Sequence, residues 1–153
     1  MEFLLFLNSQ EKEIVQLINK AGYTVEENTP LCLIGKEFFG FLKNQQRKVV
    51  ICTANAKRYG GYKFKTRDPD ENFQTGLMIR RALRHESVHV AQECNNGQLL
   101  NLSKNKKAEI SDQKLQAFKG SVKLTGNTGK EYEAYLIEDQ PRKVISVLKQ
   151  FCF

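Results

Sequence analysis

The chain has 153 residues, 41% of them hydrophobic and 10% aromatic, so it is long enough to bury a core and is unlike a disordered protein. Its net charge of +7 comes from basic residues scattered along the chain, which favours a solvated surface over a nucleic-acid-binding module. No apolar run approaches the roughly 18 residues of a membrane span, and Phe3–Leu7 lacks the basic segment of a signal peptide, so we expect one cytoplasmic domain over residues 1–153 with no membrane contact.

The N-terminal half predicts one helix and one clear strand. Ser9 is typical of a helix N-cap, an apolar stripe follows it, and Gly22 indicates the helix end. Arg47–Thr53 is rich in β-branched residues and predicts a strand. The other segments are expected to be irregular at 24–35, a strand or a short helix at 37–42, and a half-exposed strand at 62–66 after a turn at 59–62.

The C-terminal half is dominated by predicted helices. A long helix is expected over residues 75–93, and Thr128 to Glu131 has the T-x-x-E pattern of a capping box, so another helix should begin there. Pro141 is typical of the first turn of a final helix. Between the long helix at 75–93 and the helix that begins near Thr128, we expect a short helix at 111–118 and a short extended piece at 121–124. The fold class is therefore α+β, helix-dominated, with a small antiparallel or mixed sheet.

Four cysteines, at positions 32, 52, 94 and 152, lie far apart and form no CxxC pair. Zinc sites made of four cysteines bring their ligands in close pairs, and disulfide scaffolds are richer in cysteine than this chain. The pattern therefore favours free or buried thiols in a reducing compartment.

The motif with the clearest chemistry is His85-Glu-Ser-Val-His89, which contains both histidines of the chain. On a helix, positions four apart lie on the same face, so the two imidazoles can bind one zinc ion. Glu86 lies beside them, where a general base would take a proton from a metal-activated water.

A third zinc ligand must come from elsewhere, and no histidine remains. The predicted helix after Thr128 is the best source. We favour Glu133, in its first turn and beside the small Ala134, because Glu131 is expected to be used in the capping box. The alternatives are Glu138, Glu131 and Asp139.

These residues resemble the motifs of the gluzincin metallopeptidases, most closely of minimal forms with HExxHVxQ followed by ExEA. The matching stretches are His85–Gln92 and Glu131–Ala134. The resemblance implies a zincin-like core with the HExxH motif on a central helix, zinc on His85, His89 and Glu133, and Glu86 as the general base.

The sequence thus predicts a small zinc-dependent metallopeptidase-like protein that cleaves an unidentified peptide or protein. Gln92 and Asp139 are candidates to orient the imidazoles. Transition-state stabilisation would come from an arginine or from one of the tyrosines at positions 59, 62, 132 and 135. The strand Arg47–Thr53 could bind an extended peptide if it forms the sheet edge. The alternative is a non-catalytic zinc-stabilised subunit with protein partners in a larger assembly.

Overall fold

The computed structural model describes residues 1–64, 72–102 and 112–153. The helices are α1 Ser9–Lys20, α2 Thr53–Gly60, α3 Phe73–Cys94, α4 Asp112–Thr125, α5 Thr128–Ile137 and α6 Pro141–Cys152. The strands are β1 Thr24–Glu27, β2 Gly40–Lys43 and β3 Lys48–Ile51, and short 3-10 helices cover Glu2–Phe6, Pro30–Leu33 and Asn44–Gln46. The α+β class with a small mixed sheet is confirmed.

The sheet has the strand order β1-β3-β2. β3 is the central strand, parallel to β1 and antiparallel to β2, and its Val49, Val50 and Ile51 are fully buried. β2 therefore lies at one edge. Because β2 also packs on α3, this edge lies next to the HExxH motif.

The helix α3 carries the motif and forms the centre of the molecule. It packs against α1, α2, α5, α6 and the sheet, and residues on nearly every face of its second half are buried. Ser87 satisfies its buried hydroxyl by donating to the Leu83 carbonyl oxygen one turn earlier. The helix ends where Gly97 adopts a φ of +74° and its N–H donates to the Gln92 carbonyl.

A buried ionic contact fixes α3 beside the motif. Arg84 is 6% exposed and donates to Glu11 of α1 at 2.9 Å and to the Glu138 carbonyl at the end of α5. A buried guanidinium requires such partners, so Arg84 sets the positions of α1 and α5 relative to His85.

The helices predicted at 9–21, 75–93, 128 onward and 141 onward are confirmed, and so is the strand within 47–53. Other predictions were wrong. The irregular segment 24–35 contains β1, residues 121–124 belong to α4, and the predicted turn at 59–62 is the end of an unpredicted helix, α2. Residues 62–64 form no strand, and the rest of that predicted strand lies outside the described residues.

Two disulfides correct the prediction of free thiols. Cys32 is bonded to Cys52, and Cys94 at the end of α3 is bonded to Cys152 at the end of α6. Disulfides are rare in the cytosol, so they argue against the cytoplasmic location expected from the sequence. Among the described residues, no helix is long and apolar enough to cross a membrane.

Candidate metal centre

The two histidines of the motif face the same point from successive turns of α3. The centroids of the His85 and His89 rings are 5.0 Å apart and the ring planes are inclined by 79°. The side chains are largely buried, with 10% of His85 and 12% of His89 exposed. The spacing of four residues thus places both rings on the same face of α3, as the sequence predicted.

A carboxylate from α5 lies opposite both rings. Glu131 places one oxygen 3.1 Å from Nε2 of His85 and its other oxygen 3.1 Å from Nε2 of His89. The three side chains form a buried group whose ligand atoms all lie within 4.8 Å of one another.

Glu131 is available because the helix begins one residue earlier than its capping pattern suggests. Asn127 is the N-cap, and its side chain accepts the Lys130 N–H at 3.0 Å. Glu131 therefore follows the position that a capping box would use, and its side chain points to the histidines instead.

The remaining ring nitrogens have acceptors that fix the imidazoles. Nδ1 of His85 lies 3.0 Å from Oε2 of Glu138, and Nδ1 of His89 lies 2.8 Å from Oε1 of Gln92. A neutral imidazole whose Nδ1 donates a hydrogen has its lone pair on Nε2. Both lone pairs then point to the Glu131 carboxylate, as metal ligation requires.

This arrangement fits a divalent cation. Among the described residues, the buried Nε2 of His89 has no hydrogen-bond partner, although Glu131 is 3.1 Å away. Ligand atoms at about 2.0–2.1 Å from a tetrahedral zinc ion are themselves about 3.3 Å apart. Two imidazoles and one carboxylate also form a donor set of catalytic zinc sites. The geometry and the chemistry of the three groups therefore agree.

Glu133, our first choice for the third ligand, lies elsewhere in the structure. Its Oε1 accepts hydrogen bonds from Gln92 and from the backbone N–H of Leu100, and its Oε2 accepts from the N–H of Asn101. Both oxygens are occupied, and the group that faces the imidazoles contains Glu131 instead. The ligand set that the structure supports is therefore His85, His89 and Glu131.

Gln92 and Asp139, which the sequence predicts to orient the imidazoles, have different contacts in the structure. Gln92 contacts His89 as expected, whereas Asp139 is 42% exposed and pairs with Arg81 and Lys114. Glu138, which we had considered as a ligand, contacts His85 and is held from its other side by Lys114 at 2.9 Å. Its spacing of seven from Glu131, two helical turns, is the signal that could have identified it.

The buried charges favour a cation at this point. Burial alone lowers the pKa of His85, but the carboxylates of Glu131 and Glu138 outweigh it and raise the pKa to about 10. Burial raises the pKa of Glu131, but the hydrogen bond with His85 and the close contact with His89 lower it to about 2. In the metal-free protein a proton on His85 thus supplies the positive charge that the carboxylates attract.

Glu86, the residue that the sequence predicts to be the general base, is buried next to the two histidines. It is 7% exposed, and burial raises its pKa, with opposing effects from His85 and His89. A raised pKa makes a carboxylate a better proton acceptor near neutral pH. Glu86 also lines a cleft of about 280 Å³ together with His85, His89 and Glu131.

The cleft lies between the edge strand β2 and the helices α4 and α5. Phe38, Phe41, Leu42 and Leu124 form its apolar lining, and Ser121 lies on the α4 side. Gly40 of β2 permits the close approach to the motif, because a Cβ there would lie 3.1 Å from Cγ of Glu86 and 3.2 Å from the Val50 carbonyl oxygen. The edge strand at the cleft is β2, whereas the segment 47–53, predicted to bind a peptide if it formed the sheet edge, contains the central strand β3.

Among the four candidate tyrosines, Tyr135 contacts a motif histidine. The Tyr135 ring lies 4.5 Å from that of His85, and its hydroxyl is 2.9 Å from Oγ of Ser121. Tyr132 packs on Phe118, Tyr59 on Phe39, and Tyr62 on Phe6.

Comparison with known proteins gives a family without an assigned function. The sequence model described as Domain of unknown function (DUF8637) matches residues 3–153, which is nearly the whole chain. No curated protein and no solved structure shows a significant match.

Proposed function

This chain belongs to the DUF8637 family, and we propose that it is a zinc-dependent metallopeptidase-like hydrolase with a zincin-like core. His85, His89 and Glu131 hold the metal, and Glu86 is the general base. The observation that carries the proposal is the convergence of two buried Nε2 atoms on one carboxylate, 3.1 Å from each, in a cleft that Glu86 also lines.

The donor set determines the chemistry. A zinc ion held by three protein ligands would lower the pKa of water and polarise a carbonyl group. Glu86 receives a proton from the water that attacks the peptide carbonyl carbon, and then delivers it to the departing amide nitrogen. The C–N bond breaks, one water is consumed, and a carboxylic acid and an amine are released.

The cleft supports a peptide as the substrate. In the described structure β2 pairs only with β3, so its outer edge presents unpaired backbone groups that an extended peptide could join. Ser121 and Tyr135, which are hydrogen bonded to each other beside His85, are our candidates to stabilise the negative charge that develops on the carbonyl oxygen.

The second candidate is a zinc site that only stabilises the fold. It is favoured by the burial of the ligands, because catalytic sites need access and the imidazoles are 10% and 12% exposed. The presence of a buried glutamate with a raised pKa in the cleft favours catalysis instead.

The test combines metal analysis with two matched variants. We expect about one zinc per chain after purification, and Glu131→Gln should lose the metal because an amide is a weak zinc ligand. Glu86→Gln should keep the zinc and lose hydrolysis of an unstructured protein such as casein. Glu26→Gln, on a surface ion pair with Lys48, is the control for removing a carboxylate.

Zinc-free wild-type protein after growth with added zinc would refute the metal site. Zinc retained in Glu131→Gln would exclude Glu131 as a ligand. If the wild type binds zinc but neither casein nor a mixed peptide library is cleaved, the non-catalytic candidate replaces the hydrolase.

A further inference from the structure

We propose that Glu133 is a positioning residue that acts through Gln92 to fix the metal-binding form of His89, and that it couples metal binding to the docking of the backbone at Leu100 and Asn101. This inference rests on the metal site proposed above. It assigns a role to the carboxylate that the structure places behind the ligands and not among them.

Glu133 accepts hydrogen bonds from three N–H groups in the protein interior. It is 7% exposed, and its donors are Gln92 Nε2 at 3.0 Å, the Leu100 N–H at 2.9 Å and the Asn101 N–H at 2.8 Å. Because all three partners are donors, both oxygens must be acceptors. Both oxygens of Glu133 are therefore held by fixed contacts.

These contacts determine which way the Gln92 amide points. The side chain is fully buried, and its nitrogen donates to Glu133 and to the Lys130 carbonyl oxygen at 3.1 Å. Neither partner can donate, so the amide nitrogen must lie on that side. The amide oxygen is consequently the atom that faces His89.

The amide oxygen in turn determines the tautomer of His89. It lies 2.8 Å from Nδ1, and since it can only accept, Nδ1 must carry the hydrogen. The lone pair of the neutral ring is then on Nε2, 3.1 Å from Glu131. If the Gln92 amide were turned round, its NH2 group would face Nδ1 and select the tautomer whose Nε2 cannot bind a metal.

The same carboxylate holds the segment that follows α3. Leu100 is 6% exposed, and Asn101 adopts a φ of +55°, a left-handed conformation that its hydrogen bond to Glu133 helps to stabilise. Release of these two amides would leave Glu133 with fewer donors and Gln92 less firmly held. Since coupling between two sites is reciprocal, metal binding must also strengthen the docking of Leu100 and Asn101.

The experiment measures zinc affinity by competition with a chelator. Gln92→Met keeps the side-chain length but removes the amide oxygen and the amide nitrogen, and Glu133→Gln places an NH2 group where only acceptors fit. Both should weaken zinc binding about 10- to 100-fold, the range typical of residues that orient metal-binding histidines. Ile14→Val, in the buried part of α1, lowers stability without touching this chain of hydrogen bonds and should leave the affinity unchanged.

Two further readouts separate positioning from general destabilisation. The visible spectrum of the cobalt-substituted protein should change in Gln92→Met but not in Ile14→Val. In the wild type, zinc should slow hydrogen exchange at the Leu100 and Asn101 amides, a measurement that needs no variant and so remains valid if a variant fails to fold.

The outcomes distinguish the two proposals. Wild-type protein that binds no zinc overturns the metal site and this inference together. Wild-type protein that binds zinc, with unchanged affinity in both variants or with no added protection of the two amides, overturns this inference and leaves the metal site standing.

Discussion

His85 is a basic side chain that the fold encloses between two carboxylates. Its pKa is raised from 6.5 to about 10, so the folded metal-free protein holds the imidazole proton more tightly than the unfolded chain does. This stabilising contribution is fully present below pH 6.5 and is lost as the pH rises through 10. Glu131 behaves oppositely, because its pKa is lowered from 4.5 to about 2, so its contribution is fully present above pH 4.5 and is lost as the pH falls through 2.

We therefore expect the free energy of unfolding of the EDTA-treated protein to decline as the pH increases above 6.5. His85→Gln should lack this decline, since it removes the proton-binding group. Urea unfolding from about pH 5 to about pH 9 measures both slopes. Zinc should reverse the trend, because zinc and protons compete for the imidazoles and zinc binding strengthens with pH. Parallel slopes in the two metal-free proteins would contradict the prediction.

The histidine pair could be predicted from sequence because its geometry is local to one helix. Residues four apart share a face of any α-helix, so His85 and His89 needed no tertiary information. The third candidate ligand comes from another helix and could not be identified without tertiary information. Glu131 and Glu133 are about 200° apart around α5, so only one of them can face the imidazoles, and the crossing of α5 over α3 decides which. The T-x-x-E pattern predicted that the Glu131 side chain would be used in a capping box. In the structure Asn127 is the N-cap, so Glu131 is not needed for capping.

At the level of elements, the contact between β2 and α3 determines how the cleft is built. Gly40→Ala would introduce a methyl group 3.1 Å from Glu86 and 3.2 Å from the Val50 backbone. The backbone cannot yield as a flexible side chain can, so the variant should lose about 1–3 kcal/mol of stability through overpacking. Urea unfolding measures this loss, and the hydrolysis that we propose should slow with it because Glu86 is displaced.

The matched control is Gly120→Ala in α4, where an added methyl group meets no atom within 4 Å. Alanine favours a helix over glycine by about 1 kcal/mol, so this variant should be slightly more stable than the wild type. A Gly40→Ala protein as stable as the Gly120→Ala protein would show that β2 does not press on the motif helix.

The elements that sequence patterns missed depend on distant partners. β1 is only four residues long and contains two glutamates, and it forms a strand because it pairs with β3 across more than twenty residues. α2 has no apolar stripe beyond Ala56, and Asn28 supplies its first turn with a hydrogen bond to the Ala54 N–H. By contrast, α3 and α6 have long apolar surfaces of their own, and their positions were predicted to within a few residues.

At the scale of the whole molecule, the motif helix is fixed at both sides of the candidate metal centre. Arg84 joins it to α1 and to the end of α5 on one side of the histidines, and the Cys94–Cys152 disulfide joins it to α6 on the other. The first contact is electrostatic and the second covalent. Such restraint keeps the two histidines and the groups that orient them in one geometry, as the proposed metal site requires.

The two disulfides should open in a fixed order. Cys94 and Cys152 are partly exposed, whereas Cys32 and Cys52 are 7% and 0% exposed, so a thiolate reductant reaches the first pair more easily. Titration with dithiothreitol, followed by alkylation and mass spectrometry, should therefore label Cys94 and Cys152 first. Opening a bond that spans 58 residues should lower the free energy of unfolding by about 4 kcal/mol, because the unfolded chain gains the entropy of an open loop. The double variant Cys94→Ser/Cys152→Ser provides the control, since it should show the same loss without reductant. Earlier labelling of Cys32 and Cys52 would show that access to the sulfur atoms does not set the order.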